Sequence, residues 1–184
     1  MKPELEFVNI LRDVLGNPSE FVPLHEPYFN GEERELVDDC ITSGWVSSVG
    51  KYVDQFELDL AEFCGVKRAV AVVNGTSALH ICLILGGVKP GDEVIMPSLT
   101  FVASANAANM VGAFPHFVDV ERATLGLDPD KLERHLSAIA ESRADGCYNR
   151  RSGRRIGAIM PMHALGHPVR MDELLAVSQK WKIP

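Results

Sequence analysis

The sequence predicts an α/β fold in which a mostly parallel sheet is flanked by helices. Three observations carry this. Short apolar runs recur at 69–73, 93–96, 114–120 and 156–160, each the length of a buried strand. Between them lie stretches with helical spacing, and strands that alternate with helices imply parallel pairing through crossovers. The 184 residues, 46% hydrophobic and 23% charged, suffice for roughly one domain that buries about 70% of its unfolded surface.

The elements follow in order. Residues 4–15 read as a short amphipathic helix with Leu5, Val8, Leu11 and Leu15 on one face, ended by Gly16-Asn17-Pro18. A Pro-containing stretch spans 21–29. Asn30 is the expected N-cap of a second helix with Glu32 and Glu33 in its first turn. Leu36, Val37, Cys40 and Ile41 form its expected buried face, and Gly44 stops it. The loop 45–50 leads to a third helix carrying Val53, Phe56, Leu60 and Phe63, capped by Gly65.

The rhythm then changes to strand and helix in turn. A buried strand at 69–73 precedes a helix at 76–85, ended by Gly86-Gly87. Pro90-Gly91-Asp92 is a turn before the strand at 93–96, and a helix over 101–111 precedes the strand at 114–120. Asp128-Pro129 is an N-cap followed by proline at the first helical position, opening a helix to about residue 140. Residues 142–155 hold five arginines against one aspartate. They read as a solvated insertion loop, with an anion-binding patch as the alternative. A strand at 156–160, a loop at 162–170 and a helix at 171–182 complete the pattern. The sequence stops just where the next strand is expected to start, so the expectation is the front part of a longer protein.

Charge and cysteines exclude some functions. Lys plus Arg is 18 and Asp plus Glu is 25, a net charge of −7. Nucleic-acid and membrane-surface binding need basic footprints, so the expectation is no nucleic acid and no membrane. Cys40, Cys64, Cys82 and Cys147 form no CxxC pair, and free thiols without a signal sequence point to the cytoplasm.

Three segments follow successive strands and therefore collect at the carboxyl edge of a parallel sheet, where such sheets bind ligands. The first is Asn74-Gly75-Thr76-Ser77-Ala78-Leu79-His80. Free N–H groups of Thr76 and Ser77 at a helix start suit a phosphate, and Gly75 allows close approach; a plain Thr-capped helix is the alternative. The second runs from Pro97 to Asn106, where Phe101 could lay its ring on a flat ligand or pack in the core. The third is Pro161-Met162-His163-Ala164-Leu165-Gly166-His167-Pro168. Gly166 and Pro168 disfavour a helix, so the two histidines lack metal-ligand geometry and no metal is expected; His163 remains as a loop imidazole near a ligand. His25, His80, His116 and His135 are assigned packing or surface roles. Neither GxGxxG nor GxxxxGK occurs. These residues reach as far as a binder of a phosphorylated planar ligand.

An ordered set of motifs goes further. It comprises Ser43-Gly44-Trp45-Val46-Ser47 with Tyr52-Val53-Asp54-Gln55-Phe56-Glu57, then Asn74 to His80, then Gly91-Asp92-Glu93-Val94-Ile95 with Pro97-Ser98-Leu99-Thr100-Phe101. Phe117-Val118-Asp119-Val120 and Pro161-Met162-His163 with Gly166 complete it. With this set, nearly all of residues 22–184 resembles the sugar aminotransferases of the DegT/DnrJ/EryC1/StrS family, pyridoxal-phosphate (PLP) enzymes of fold type I. The N-terminal helix and the Trp45 loop look most like members acting on the way to legionaminic-acid-type sugars.

The resemblance implies roles. Gly75, Thr76 and Ser77 match the seat of the PLP phosphate, Phe101 the aromatic stacked on the pyridine, and His163 a residue lining the pocket. Trp45 and Lys51 match a segment near the sugar at a subunit interface. It also implies an N-terminal helix and arm over 1–29 and an incomplete PLP-binding large domain over 30–184. The substrates would be a nucleotide-linked keto-sugar and an amino donor such as glutamate, and the parent enzyme a homodimer. Family members carry an Asp that pairs with the pyridine nitrogen and a Lys that holds the cofactor covalently, both past the position of Pro184. No lysine here, at 2, 51, 67, 89, 131, 180 or 182, has that context, so no catalytic residue is expected in these 184 residues and the chain alone is expected to be inactive. A non-catalytic binding module and a sugar dehydratase of the same family are the alternatives.

Overall fold

In a computed structural model, residues 3–23 and 25–184 are described, and the chain divides into two units, Met1–Ala69 and Val70–Pro184. The first unit holds three helices: α1 (Pro3–Val14), α2 (Glu33–Ser43) and α3 (Lys51–Cys64). Gly44 and Gly65 end α2 and α3 with φ of +79° and +65°, a conformation that costs glycine little. Two expectations are corrected here. Asn30 is not the N-cap: Glu32 occupies that position, and the Glu33 carboxylate accepts the Gly31 N–H at 3.0 Å. Nor do Leu36, Val37 and Ile41 form a buried face; all three are exposed. Across these three helices only Ala61 is buried.

The second unit contains the core. Its elements are α4 (Gly75–Leu85), β1 (Glu93–Pro97), α5 (Val102–Met110), β2 (Phe114–Val118) and α6 (Pro129–Ile139). The hairpin strands β3 (Ala140–Arg143) and β4 (Gly146–Asn149), then β5 (Ile156–Ile159) and α7 (Met171–Trp181), follow. The main sheet is parallel, with order β2-β1-β5. Every residue of the central β1 is buried, because both sheet faces are covered. Side chains alternate across a strand. Val94 and Met96 thus pack with Leu83, Ala107 and Ala108 of α4 and α5, while Ile95 packs with Leu132, Leu136 and Leu174 of α6 and α7.

Three further readings change. The run 69–73 joins no strand ladder, and Val70 and Val73 are exposed; β-branched content alone makes no strand without a neighbour to pair with. The third strand stops at Val118, and Val120 instead forms an antiparallel bridge with Leu127. The arginine-rich segment 142–155 is no solvated loop. It contributes to an antiparallel hairpin in which Cys147 and Asn149 are buried.

Asp128 caps α6 as its sequence context implies. Its Oδ1 accepts the N–H groups of Asp130 and Lys131, both at 3.0 Å, and Pro129 occupies the first turn. Asp128→Ala is therefore expected to lower stability by about 0.5–2 kcal/mol. Urea denaturation checks this: the midpoint should fall while the slope is unchanged.

Candidate functional site

The connections of the second unit define where a ligand can sit. From β1 the chain crosses through α5 to β2 on one side. From β5 it runs through α7 and returns beside β5 on the other side, where the Ile159 N–H donates to the Pro184 carbonyl at 2.7 Å. Connections that leave neighbouring strands in opposite directions open a crevice at the carboxyl ends of those strands. Here the strands concerned are β1 and β5, and the loops that follow them touch. The Thr100 hydroxyl after β1 donates to the Met162 Sδ after β5 at 3.3 Å, and Thr100 and Ser104 hydroxyls lie 2.8 Å apart. This Thr100–Met162 tie is a site feature that sequence reasoning missed.

Phe101 and His163 each follow a member of that pair in sequence, so the fold brings both to the carboxyl edge of the sheet after β1 and β5. Phe101 is the N-cap of α5 and its ring is 73% exposed. The core-packing alternative is thereby excluded. His163 is exposed at the start of the Ala164–Gly166 turn. Its Nδ1 accepts the Val169 N–H at 3.2 Å, which leaves the proton on Nε2, turned away from that bond.

Gly75, Thr76 and Ser77 open α4. The turns after α4 and α5 are joined by the Gly91 N–H donating to the Gly112 carbonyl at 2.8 Å, just before the starts of β1 and β2. The C-terminal ends of both helices therefore lie at the amino edge of the sheet, and their N-termini at the carboxyl edge. One correction applies to the expected donors. The Ser77 N–H is not free, because the Asn74 Oδ1 accepts it at 2.8 Å. Asn74, not Thr76, is the cap, a role that Asn just before a helical run signals. The Thr76 and Ser77 hydroxyls make no hydrogen bond among the described residues, and a Cβ at Gly75 would meet nothing within 4 Å. A helix start with open donors, at the same sheet edge as an uncovered aromatic side chain and an imidazole N–H, suits a phosphorylated planar ligand.

In the first unit, Trp45 and Lys51 line a cavity of about 230 Å³ together with Ser43, Ser47 and Tyr52. The Lys51 ammonium lies 2.7 Å from Asp39 Oδ2, which also accepts the Tyr52 hydroxyl at 2.8 Å. The Asp39 carboxylate raises the Lys51 pKa above its usual value, so the side chain is a fixed cation.

The model of the DegT/DnrJ/EryC1/StrS aminotransferase family matches residues 27–184. GDP-perosamine synthase of Caulobacter vibrioides is 42% identical over 154 residues, covering 84% of this chain and 37% of that protein. The spore coat polysaccharide biosynthesis protein SpsC of Bacillus subtilis is 38% identical over 161 residues, covering 88% and 37%. Among solved structures, NtdA from Bacillus subtilis with bound cofactor PMP aligns with a TM-score of 0.68 at 27% identity, covering 90% of this chain and 37% of that one. The chain thus spans somewhat over a third of the length of these relatives.

Proposed function

Because the chain belongs to the DegT/DnrJ/EryC1/StrS aminotransferase family, we propose that it supplies the cofactor-binding portion of a PLP-dependent aminotransferase whose acceptor is a nucleotide-linked keto-sugar. The observation that carries this reading is the contact between the loops after β1 and β5, which sets Phe101 and His163 at the sheet edge where α4 also starts. Bound there, PLP supplies an electron sink for amino-group transfer. The chain's own residues do the holding. Thr76 and Ser77 donate their hydroxyls to the phosphate, aided by the N-terminal charge of α4. Gly75 lets the phosphate approach the backbone. Phe101 stacks on the ring, worth roughly 0.5–1.5 kcal/mol beyond area burial, and His163 lines the pocket. Trp45 and Lys51 are assigned to the sugar substrate.

Curated relatives that make GDP-perosamine support the nucleotide-linked keto-sugar as acceptor. Legionaminic-type sugars are the finer assignment, and glutamate the donor. The same reading makes the enzyme a cytoplasmic homodimer with no nucleic-acid or membrane partner. Among the described residues no helix is long and apolar enough to cross a membrane.

Equilibrium dialysis with pyridoxamine phosphate and pyridoxamine tests the site without relying on turnover. Charge-assisted hydrogen bonds to the phosphate predict roughly tenfold or greater preference for the phosphorylated form. The Thr76→Ala/Ser77→Ala variant should lose most of it, and Phe101→Ala should weaken both ligands alike. Equal retention of the two ligands by the unaltered chain would sink the assignment.

A further inference from the structure

At the opposite end of the strands from the candidate site lies a polar chain that the proposed function does not use. Glu93, the first residue of β1, is buried on the α6 side of the sheet. Its Oε1 accepts the Ser152 hydroxyl at 2.5 Å, and its Oε2 accepts the Asn149 side-chain amide at 2.9 Å. The same Oε2 lies 2.7 Å from Nδ1 of His116 on β2. The far nitrogen of that ring, Nε2, lies 2.7 Å from Nε2 of His135 on α6. β1, β2 and the hairpin with its following turn therefore meet at one carboxylate, and α6 joins them through His116.

Counting protons shows what this chain can do. The Glu93 carboxylate is acceptor only, so His116 Nδ1 carries a proton. The Nε2···Nε2 contact holds one proton between two nitrogens. With both rings neutral, His135 donates to a bare His116 nitrogen. With one added proton, His116 becomes an imidazolium against Glu93 and donates to His135, whose own proton then sits on Nδ1. The contact survives both states. A second added proton puts two N–H groups 2.7 Å apart with no acceptor between them, and the rings must separate.

We propose that Glu93, His116 and His135 form a proton-controlled latch that holds the β3–β4 hairpin against the sheet and releases it when both imidazoles are charged. α6 runs directly into β3 at Ala140, so movement of His135 passes into the hairpin. The charged groups facing the pair are Glu93 from β1, which favours protonation, and Arg151 from the turn after β4, which opposes it. The direction of the equilibrium agrees with the geometry. Burial, with His116 and Arg151 beside it, holds His135 below its ordinary 6.5. The fold therefore prefers a neutral ring; that contribution is complete above the ordinary value and is lost as pH falls through the depressed one. Burial raises Glu93, but its bonds from Asn149, Ser152 and His116 outweigh this and hold it below 4.5.

Hydrogen exchange of the 184-residue chain, corrected for intrinsic rates, reads the latch directly. Between about pH 7.5 and about pH 5, amides of 140–155 should lose roughly tenfold in protection. Those of β1 and α7 should stay within about twofold. His135→Gln, whose side-chain amide can donate to a neutral His116 or accept from a charged one and never charges, should abolish most of the difference. Unchanged hairpin protection in the unaltered chain, a uniform loss across all elements, or a variant that keeps the full pH response would each overturn the proposal. Ring-nitrogen NMR of the unaltered chain provides a readout independent of any variant. The hydrogen bond between the two Nε2 atoms should be detectable at about pH 7.5 and lost at about pH 5, and its persistence at the lower pH refutes the latch.

Discussion

Gly126→Ala is expected to destabilise the second unit by about 1–3 kcal/mol, the usual cost of overpacking a well-filled core. A Cβ at 126 would lie 2.1 Å from Val169 Cγ1 and 3.3 Å from the Met162 carbonyl oxygen. Neither neighbour can give way easily. Val169 is buried in the cluster that contains Leu127 and Leu174, and a β-branched side chain has few alternative rotamers. The Val169 N–H also donates to His163 Nδ1, so relief by backbone movement would displace the imidazole proposed to line the cofactor pocket. A fall in urea midpoint with unchanged slope, together with a shifted His163 ring resonance, is the expected result. Val169→Ala removes the clashing methyl and should recover part of the loss when combined with Gly126→Ala. A Gly126→Ala chain as stable as the parent would show that the loop after β5 does not pack on this glycine.

Much of the second unit is legible in the sequence because its signals are local. Asp128-Pro129 marks the start of α6, and the apolar runs at 93–96 and 156–160 mark buried strands, since composition and chain neighbours decide those features. The elements that escape are decided by distant partners. The run 69–73 has the composition of a strand and yet lies in no ladder, because pairing is a property of two segments. Leu36, Val37 and Ile41 have the spacing of a buried face, but spacing cannot say whether anything covers it. At the candidate site, Phe101 and His163 follow β1 and β5 as the strand–helix alternation implies, whereas no strand precedes Gly75. The Thr100–Met162 contact spans 62 residues, and nothing in either local sequence announces it.

The arginine-rich segment shows the same limit and sets the largest expected loss. Arg155 is the last residue before β5, and its guanidinium grips Asp92 with Nε 3.2 Å from Oδ1 and Nη2 2.5 Å from Oδ2. Nη2 also donates to the Gly87 carbonyl at 2.5 Å. Asp92 is buried and its Oδ2 additionally accepts the Lys89 N–H at 2.8 Å, so one carboxylate ties the turn before β1 to the end of the hairpin. The contact is tight enough that a Cβ at Gly157 would come within 2.7 Å of Asp92 Oδ2. Removing the guanidinium strands a buried anion, which typically costs about 3–5 kcal/mol. Arg155→Ala should therefore show a loss of that order in urea or thermal denaturation. Arg155→Lys keeps the charge but not the two-pronged geometry, so it should recover only part. Asp92→Ala combined with Arg155→Ala should cost less than the two single changes added together, because the second change removes the charge that the first left unpaired. Additive losses would mean the pair is not coupled. An Arg155→Ala chain that keeps its full stability would show that the guanidinium is not holding Asp92, and would return the segment to its other reading as an anion-binding patch.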